Sequence, residues 1–294
     1  MARPDFFIDT TTILPSLQTL IVFFYSAIIA QLFGFGSITM EHSTSDKDFL
    51  TTFAKGLNVI RSFEPNSMSM TLTEVAKKND LSRASARRFL LTMLKLGYVE
   101  TDGNRFSLTA KVLELGYSYL STLDVGGTVS TQLELVTQQL GESSSAAVLE
   151  GENIVYIARI PVRPLMAFNL QIGARLPAYA TSMGRVLLSR LPEEELDHLL
   201  TQSNLIQLTP NTLTSPSELK AEIAKVRVQG YAINDQELEL GLRSVAVPVF
   251  NRNGKLRLTL NVSCHSSKTT VDSMISEFVP VLKDTAQRIS MSLP

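Results

Sequence analysis

Three arginines, Arg83, Arg87 and Arg88, fall within six residues of the stretch "LSRASARRFLLTMLKLGYV" (81–99), with Ser82 and Ser85 among them. A guanidinium presents paired N–H donors that match the O6/N7 edge of guanine, and it also grips phosphate. Such a set can read a DNA major groove. Residues for other chemistry are sparse. The single cysteine, Cys264, precedes His265, but neighbours on a strand point to opposite faces and make no nucleophile–base pair. "PEEELDH" (192–198) collects acids on a segment that reads as a solvated helix face. "NRNGK" (251–255) lacks the spacing of a phosphate-binding loop. The three histidines, His42, His198 and His265, are scattered, so no metal-ligand set forms with one cysteine. No catalytic residue, metal or cofactor is expected, and the chain is not read as an enzyme.

The arginines need elements to present them. "DFLTTFAKGLNVIRSF" (48–63) places Phe49, Phe53, Leu57 and Ile60 at helical spacing. In "TLTEVAKKND" (71–80), Thr71 or Thr73 can cap a helix, Glu74 sits in its first turn, and Leu72, Val75 and Ala76 face inward. Ser82 then caps the arginine-bearing helix. Ala86, Leu90, Met93 and Leu94 form its buried stripe, the arginines lie off that stripe, and Gly97 stops it. "YVETDGNRFSLT" (98–109) reads as a hairpin turning at "DGN". Helix, helix, short turn, arginine-bearing helix and hairpin are the order of a winged helix-turn-helix. A run of arginines alone ordinarily marks a solvated face; the ordered conjunction points to DNA. Arg83, Ser85, Arg87 and Arg88 are expected to face the groove, Thr73 and Ser82 to join the DNA contacts, and Arg105 in the wing to reach phosphate or the minor groove.

Charge supports this division. The 294-residue chain has a net charge of −1, yet residues 46–108 hold ten Lys and Arg against seven Asp and Glu. The excess of cations is confined to the segment with the arginine helix. "LTAKVLELGYSYLS" (108–121) reads as an amphipathic connector, and "DVGG" (124–127) as a boundary. Beyond it lie strands around 151–153, a strand "LMAFNL" (165–170), and helices "TSMGRVLLSRL" and "PEEELDHLL", with Pro192 at a first helical position. A helix follows with Ser215, Pro216 and Glu218 as a capping box and Gly230 as stop, then a hairpin at Asn253–Gly254 and a last helix over 269–293. These imply an antiparallel sheet covered by helices. The domains read as an apolar extension (1–45), a DNA-binding domain (46–108), a linker helix (109–123) and an effector domain (124–294).

The extension raises its own question. "ILPSLQTLIVFFYSAIIAQLFGFGSI" (13–38) is uncharged and long enough to span a bilayer. The favoured reading starts translation at Met40, where the chain turns polar, and gives a cytoplasmic protein. The alternative is a membrane-tethered DNA-binding sensor.

"TLTEVAKKNDLSRASARRFLLTMLKLGYVETDGNRFSLTAKVLELG", "GARLPAYATSMGRVLLS" and "NDQELELGLRSVAVPVFNRNGKLRLTLNVS", in this order, resemble the IclR-type bacterial transcription regulators over about residues 48–294. "SRASARRFLLTMLKLGYVETDG" and "LELGYSYLS" look most like the Pca/Pob branch, which controls breakdown of aromatic acids such as protocatechuate and 4-hydroxybenzoate or responds to β-ketoadipate. The resemblance implies an α+β chain: a winged helix-turn-helix, a linker helix and a GAF-like α/β effector domain. It implies a double-stranded operator, a small organic acid effector, self-association as dimer or tetramer, and RNA polymerase as partner of an activator. It places the effector at Ser182, Met183, Asn234, Leu242, Ser244, Asn261 and Ser263, with Leu165 and Phe168 as an apolar wall. Relatives often carry an acid at the position of Asn234 and glycine at that of Cys264. An aromatic carboxylate also wants a cation, for which Arg159, Arg175 and Arg243 are unranked candidates.

Overall fold

The computed structural model describes residues 48–162 and 170–293. They form two compact units, with the chain dividing between Thr122 and Leu123. Leu165, Phe168, most of the strand expected over 165–170 and the apolar run 13–38 lie outside the described residues. No helix among the described residues is long and apolar enough to cross a membrane.

The first unit runs α1 (Thr51–Arg61), β1 (Ser69–Thr71), α2 (Leu72–Lys78), α3 (Arg83–Leu96), β2 (Val99–Thr101) and β3 (Arg105–Leu108). Local chemistry fixes the ends of α3. Ser82 Oγ accepts the Ser85 N–H at 3.1 Å, a cap that contributes about 1 kcal/mol. Gly97 ends the helix at φ 81°, where a side chain would be strained. For α2 the cap is Thr71, not Thr73: Thr71 Oγ1 accepts the Glu74 N–H and Glu74 Oε2 accepts the Thr71 N–H. In the wing, Asp102 Oδ1 accepts the Asn104 and Arg105 N–H groups and shapes the turn. Hydrogen bonds from the Arg105 and Asn104 amides hold the Asp102 carboxyl below its usual range. The sheet has order β1-β3-β2, and β1 was not foreseen.

Val59, Met70, Val75, Ala86, Leu90 and Val99 are in the core of this unit. Helices form at both places where amphipathic ones are expected, α1 and the connector, with much of their apolar surface uncovered. The Phe49–Phe53–Leu57 stripe is not buried; α1 turns Val59 inward and leaves Phe53 67% exposed. The connector is a short turn (Ala110–Val112) followed by α4 (Leu113–Leu120), and none of its residues is buried. Its apolar side chains, Leu113 and Tyr117 among them, stand in solvent rather than along one covered face.

The second unit is a six-stranded antiparallel sheet between helices, in order β6-β5-β4-β9-β8-β7. The strands are β4 (Ser143–Glu150), β5 (Asn153–Ile160), β6 (Arg175–Pro177), β7 (Ala232–Asp235), β8 (Leu242–Phe250) and β9 (Leu256–His265). One face carries α5 (Ser130–Leu140) and α9 (Val279–Ser292). Ser144 marks that face, bonded to Thr137 Oγ1 and the Leu133 carbonyl. The other face carries α6 (Ser182–Leu188), α7 (Glu193–Gln202) and α8 (Pro216–Gln229), and Ala147, Tyr156 and Ala246 join their apolar cluster.

Pro192 is the cap of α7 rather than its first helical residue. No capping box forms at α8, because Ser215 Oγ pairs with Ser217 Oγ. The last helix forms as expected, helical without a break over 271–292, with one wider turn at Met274–Phe278 leading into α9.

Helix α6 lies flat against its neighbours, with all seven residues buried. A Cβ on Gly184 would stand 2.1 Å from the Ala178 carbonyl oxygen. Backbone cannot yield as a flexible side chain does. Gly184→Ala is therefore expected to cost about 3 kcal/mol, seen as a lowered urea midpoint with an unchanged m-value.

Candidate functional site

The two units carry two candidate sites. On α3, Arg83, Arg87 and Arg88 are exposed, opposite Ala86, Leu90 and Met93, which are buried. None of the three arginines pairs with an acid among the described residues. Their charge is uncommitted, so binding phosphate or a guanine edge breaks no internal ion pair. The serines are more constrained. Ser82 Oγ donates to Ser85 Oγ at 3.0 Å while accepting its amide, so both hold the helix start. Thr73 is exposed on the first turn of α2.

Arg105, expected to reach phosphate or the minor groove from the wing, is also held within the unit. Its Nη2 donates to the Ser69 carbonyl at 2.6 Å and to Glu74 Oε2 at 3.2 Å. The Glu74 carboxyl is held below its usual range, first by hydrogen bonds from Thr71 and then by Arg105. Arg105 thus ties the wing to β1 and α2, and a DNA contact would compete with that tie.

In the second unit, Ser182, Asn234, Ser244, Asn261 and Ser263 converge on one cavity, and Met183 and Leu242 supply apolar wall. All seven are buried. Sheet register explains the convergence: Ser263 stands opposite Ser244, and Ser244 opposite Asn234. Ser182 Oγ and Ser244 Oγ share a hydrogen bond of 2.8 Å, joining α6 to the sheet. Asn234 Nδ2 donates to the Ala180 carbonyl at 2.8 Å. The cavity measures about 300 Å³ counted out to solvent. Its enclosed part has room for about one water. Tyr156 also lines it, and burial pushes its phenol up to about 12, so the hydroxyl is neutral at physiological pH.

The structure separates the three candidate cations. Arg243 grips both Asp235 oxygens at 2.8 and 2.9 Å and donates to the Ser266 and Thr269 carbonyls. That grip lowers the Asp235 carboxyl below its ordinary value. Arg175 pairs with Glu150 at 2.7 Å. Arg159 pairs with no described acid; its Nη1 lies 3.4 Å from Ser145 Oγ.

Sequence reasoning missed the pair behind the cavity wall. Arg185 is 1% exposed and forks onto both oxygens of Glu237. Its Nε donates to the Tyr179 carbonyl at 3.0 Å. Glu237 in turn donates its amide to Asn234 Oδ1 at 3.3 Å, and its carbonyl accepts from Thr212 Oγ1 at 2.6 Å. One arginine inside the apolar run "SMGRVLL" was the signal, since a cation there needs a buried acid. Cys264 is buried and His265 exposed, on opposite faces of β9.

Comparison with known proteins places this architecture. Residues 52–103 match the IclR helix-turn-helix domain family. Residues 117–291 match the family described as bacterial transcriptional regulator IclR C-terminal. The Pca regulon regulatory protein of Pseudomonas putida is 41% identical over 240 residues, which cover 81% of this chain and 82% of the relative. A crystal structure from Rhodococcus sp. RHA1, of a protein assigned as a transcriptional regulator, superposes with TM-score 0.74 at 45% identity, covering 83% of this chain and 98% of that one. The inducer-binding domain of an Acinetobacter PobR double mutant, in complex with 3-hydroxybenzoic acid, superposes with TM-score 0.51 at 31% identity, covering 55% of this chain and 95% of that one. The chain belongs to the IclR family of DNA-binding bacterial transcriptional regulators and, within it, is similar to the Pca and Pob regulators.

Proposed function

We propose that this regulator senses a small aromatic acid and controls genes for the breakdown of such acids. The carrying observation is the cavity, where buried hydroxyl and amide groups of Ser182, Asn234, Ser244, Asn261 and Ser263 converge beside apolar wall. A few fixed polar groups in an apolar pocket suit a small polar ligand. The names of the relatives support an aromatic one: a Pca regulon regulator, and a PobR domain holding 3-hydroxybenzoic acid.

In this reading a dimer sets two α3 helices into successive major grooves. The exposed apolar side chains of α1 and α4, Phe53, Leu113 and Tyr117 among them, give a second copy surface to cover. A ring enters the cavity only when its walls part, which strains the Ser182–Ser244 link between α6 and β8. A ligand that favours the parted state shifts the protein between two arrangements, with a coupling of typically ~1–3 kcal/mol.

Calorimetric titration with 4-hydroxybenzoate, protocatechuate and β-ketoadipate tests the sensing step. One aromatic acid is expected to bind saturably, and Ser244→Val to weaken it about tenfold. If none of the aromatic acids binds, the reading is wrong.

A further inference from the structure

We infer that Arg159 holds the carboxylate of the effector while Asn261, two strands away, reads a hydroxyl on the same molecule; this rests on the aromatic-acid reading above. Sheet register puts the two on one face. Arg159 on β5 stands opposite Ser145 on β4, and Ser145 opposite Asn261 on β9. Directly opposed residues of an antiparallel pair share a face. The three therefore form a row across the sheet. Ser144, the neighbour of Ser145, is bonded to α5 on the far side, so the row faces α6 and the cavity. Arg159 Nη1 lies 3.4 Å from Ser145 Oγ, so the guanidinium is turned inward along the row. A register shift between Ala146 and Ala147 bulges β5 and brings Tyr156, a cavity residue, to the same face despite its odd spacing from Arg159.

The chemistry at the two ends differs. Among the described residues no charged side chain lines the cavity, so an entering anion calls for a cation at its margin. Arg243 and Arg175 are committed to Asp235 and Glu150, whereas Arg159 has no acid partner among the described residues. Its planar fork matches a carboxylate. Asn261 is 3% exposed; its Nδ2 donates to Ser263 Oγ at 3.1 Å, and its Oδ1 has no partner among the described residues. A buried acceptor left unpaired is costly, and a ligand O–H aimed at it removes that cost. Two strand spacings separate the backbones by roughly 10 Å, which the long arginine side chain shortens. An aromatic ring bearing a carboxylate on one side and a hydroxyl on the other bridges the rest. The ligand class is thus a hydroxybenzoic acid with its hydroxyl meta or para to the acid.

The test is calorimetric titration of the full chain with 4-hydroxybenzoate, its neutral amide 4-hydroxybenzamide, and benzoate. Wild type is expected to bind the amide and benzoate each about tenfold more weakly than the hydroxy acid. Arg159→Gln should bring acid affinity down to that of the amide and leave the amide unchanged, with Arg159→Lys between. Asn261→Leu should erase the preference for hydroxybenzoate over benzoate. The inference is overturned if wild type binds acid and amide equally, or if Arg159→Gln, folded by its thermal midpoint, binds the acid like wild type. Those results leave the aromatic-acid reading standing. Failure of wild type to bind any aromatic acid overturns that reading and the inference together.

Discussion

Glu237→Gln is expected to lower the stability of the effector unit by about 3–5 kcal/mol. Among the described residues the two carboxylate oxygens of Glu237 are the only acid partners of Arg185, whose side chain is 1% exposed. Removing the negative charge leaves a guanidinium in a site that water cannot reach, and desolvation of that charge is then uncompensated. The carboxylate also accepts the Leu213 N–H, and a shift of this segment reaches the cavity through the main chain of residue 237. Glu237 holds Asn234 Oδ1 through its amide and anchors the turn at Thr209 and Thr212 through its carbonyl. Urea unfolding should show the loss, and effector titration on the folded fraction a weaker ligand. The double change Arg185→Met with Glu237→Leu should recover most of the stability, because no buried charge remains. Recovery of stability without recovery of effector binding would separate the packing role of the pair from its positioning of Asn234.

Arg87→Ala and Arg88→Ala are each expected to weaken operator binding by about 1–3 kcal/mol. Both guanidiniums are exposed on α3 and free of ion pairs among the described residues. The two kinds of contact an arginine makes leave different signatures. An arginine that grips a guanine edge loses discrimination at one base pair when removed. One that grips phosphate weakens every sequence alike and lowers the salt slope by about one. Arg105→Ala should behave otherwise. Its guanidinium is tied to Ser69 and Glu74, so its removal should lower the stability of the wing unit as well as DNA affinity.

Much of the first unit was legible because its signals are local. Ser82 before the arginines, Gly97 after them and "DGN" in the hairpin each act within a turn, and each stands where the residue type requires. Burial of an apolar stripe depends on what lies opposite it. The Phe49, Phe53, Leu57 and Ile60 spacing foretells a helix, which forms, but spacing does not say what covers each side chain: Ile60 packs on the core of the unit and Phe53 stays exposed. Strands β1 and β7, three and four residues long, are too short to carry a pattern and exist because a neighbour pairs with them. The cavity residues came from family likeness. Their convergence is a matter of register, Ser263 to Ser244 to Asn234, which no window of sequence contains. The Arg185–Glu237 pair spans 52 positions and was equally out of reach.

Operator binding tuned by an effector is open to a single titration. The full chain is titrated onto DNA upstream of its neighbouring genes, across salt concentrations, with and without 4-hydroxybenzoate or protocatechuate. Affinity is expected to fall steeply with salt, with a slope that shrinks when Arg83, Arg87 and Arg88 are all alanine, and to shift about five- to a hundredfold with one of the acids. Affinity unchanged by the triple substitution, or by every aromatic acid that the protein binds, would contradict effector-tuned operator binding.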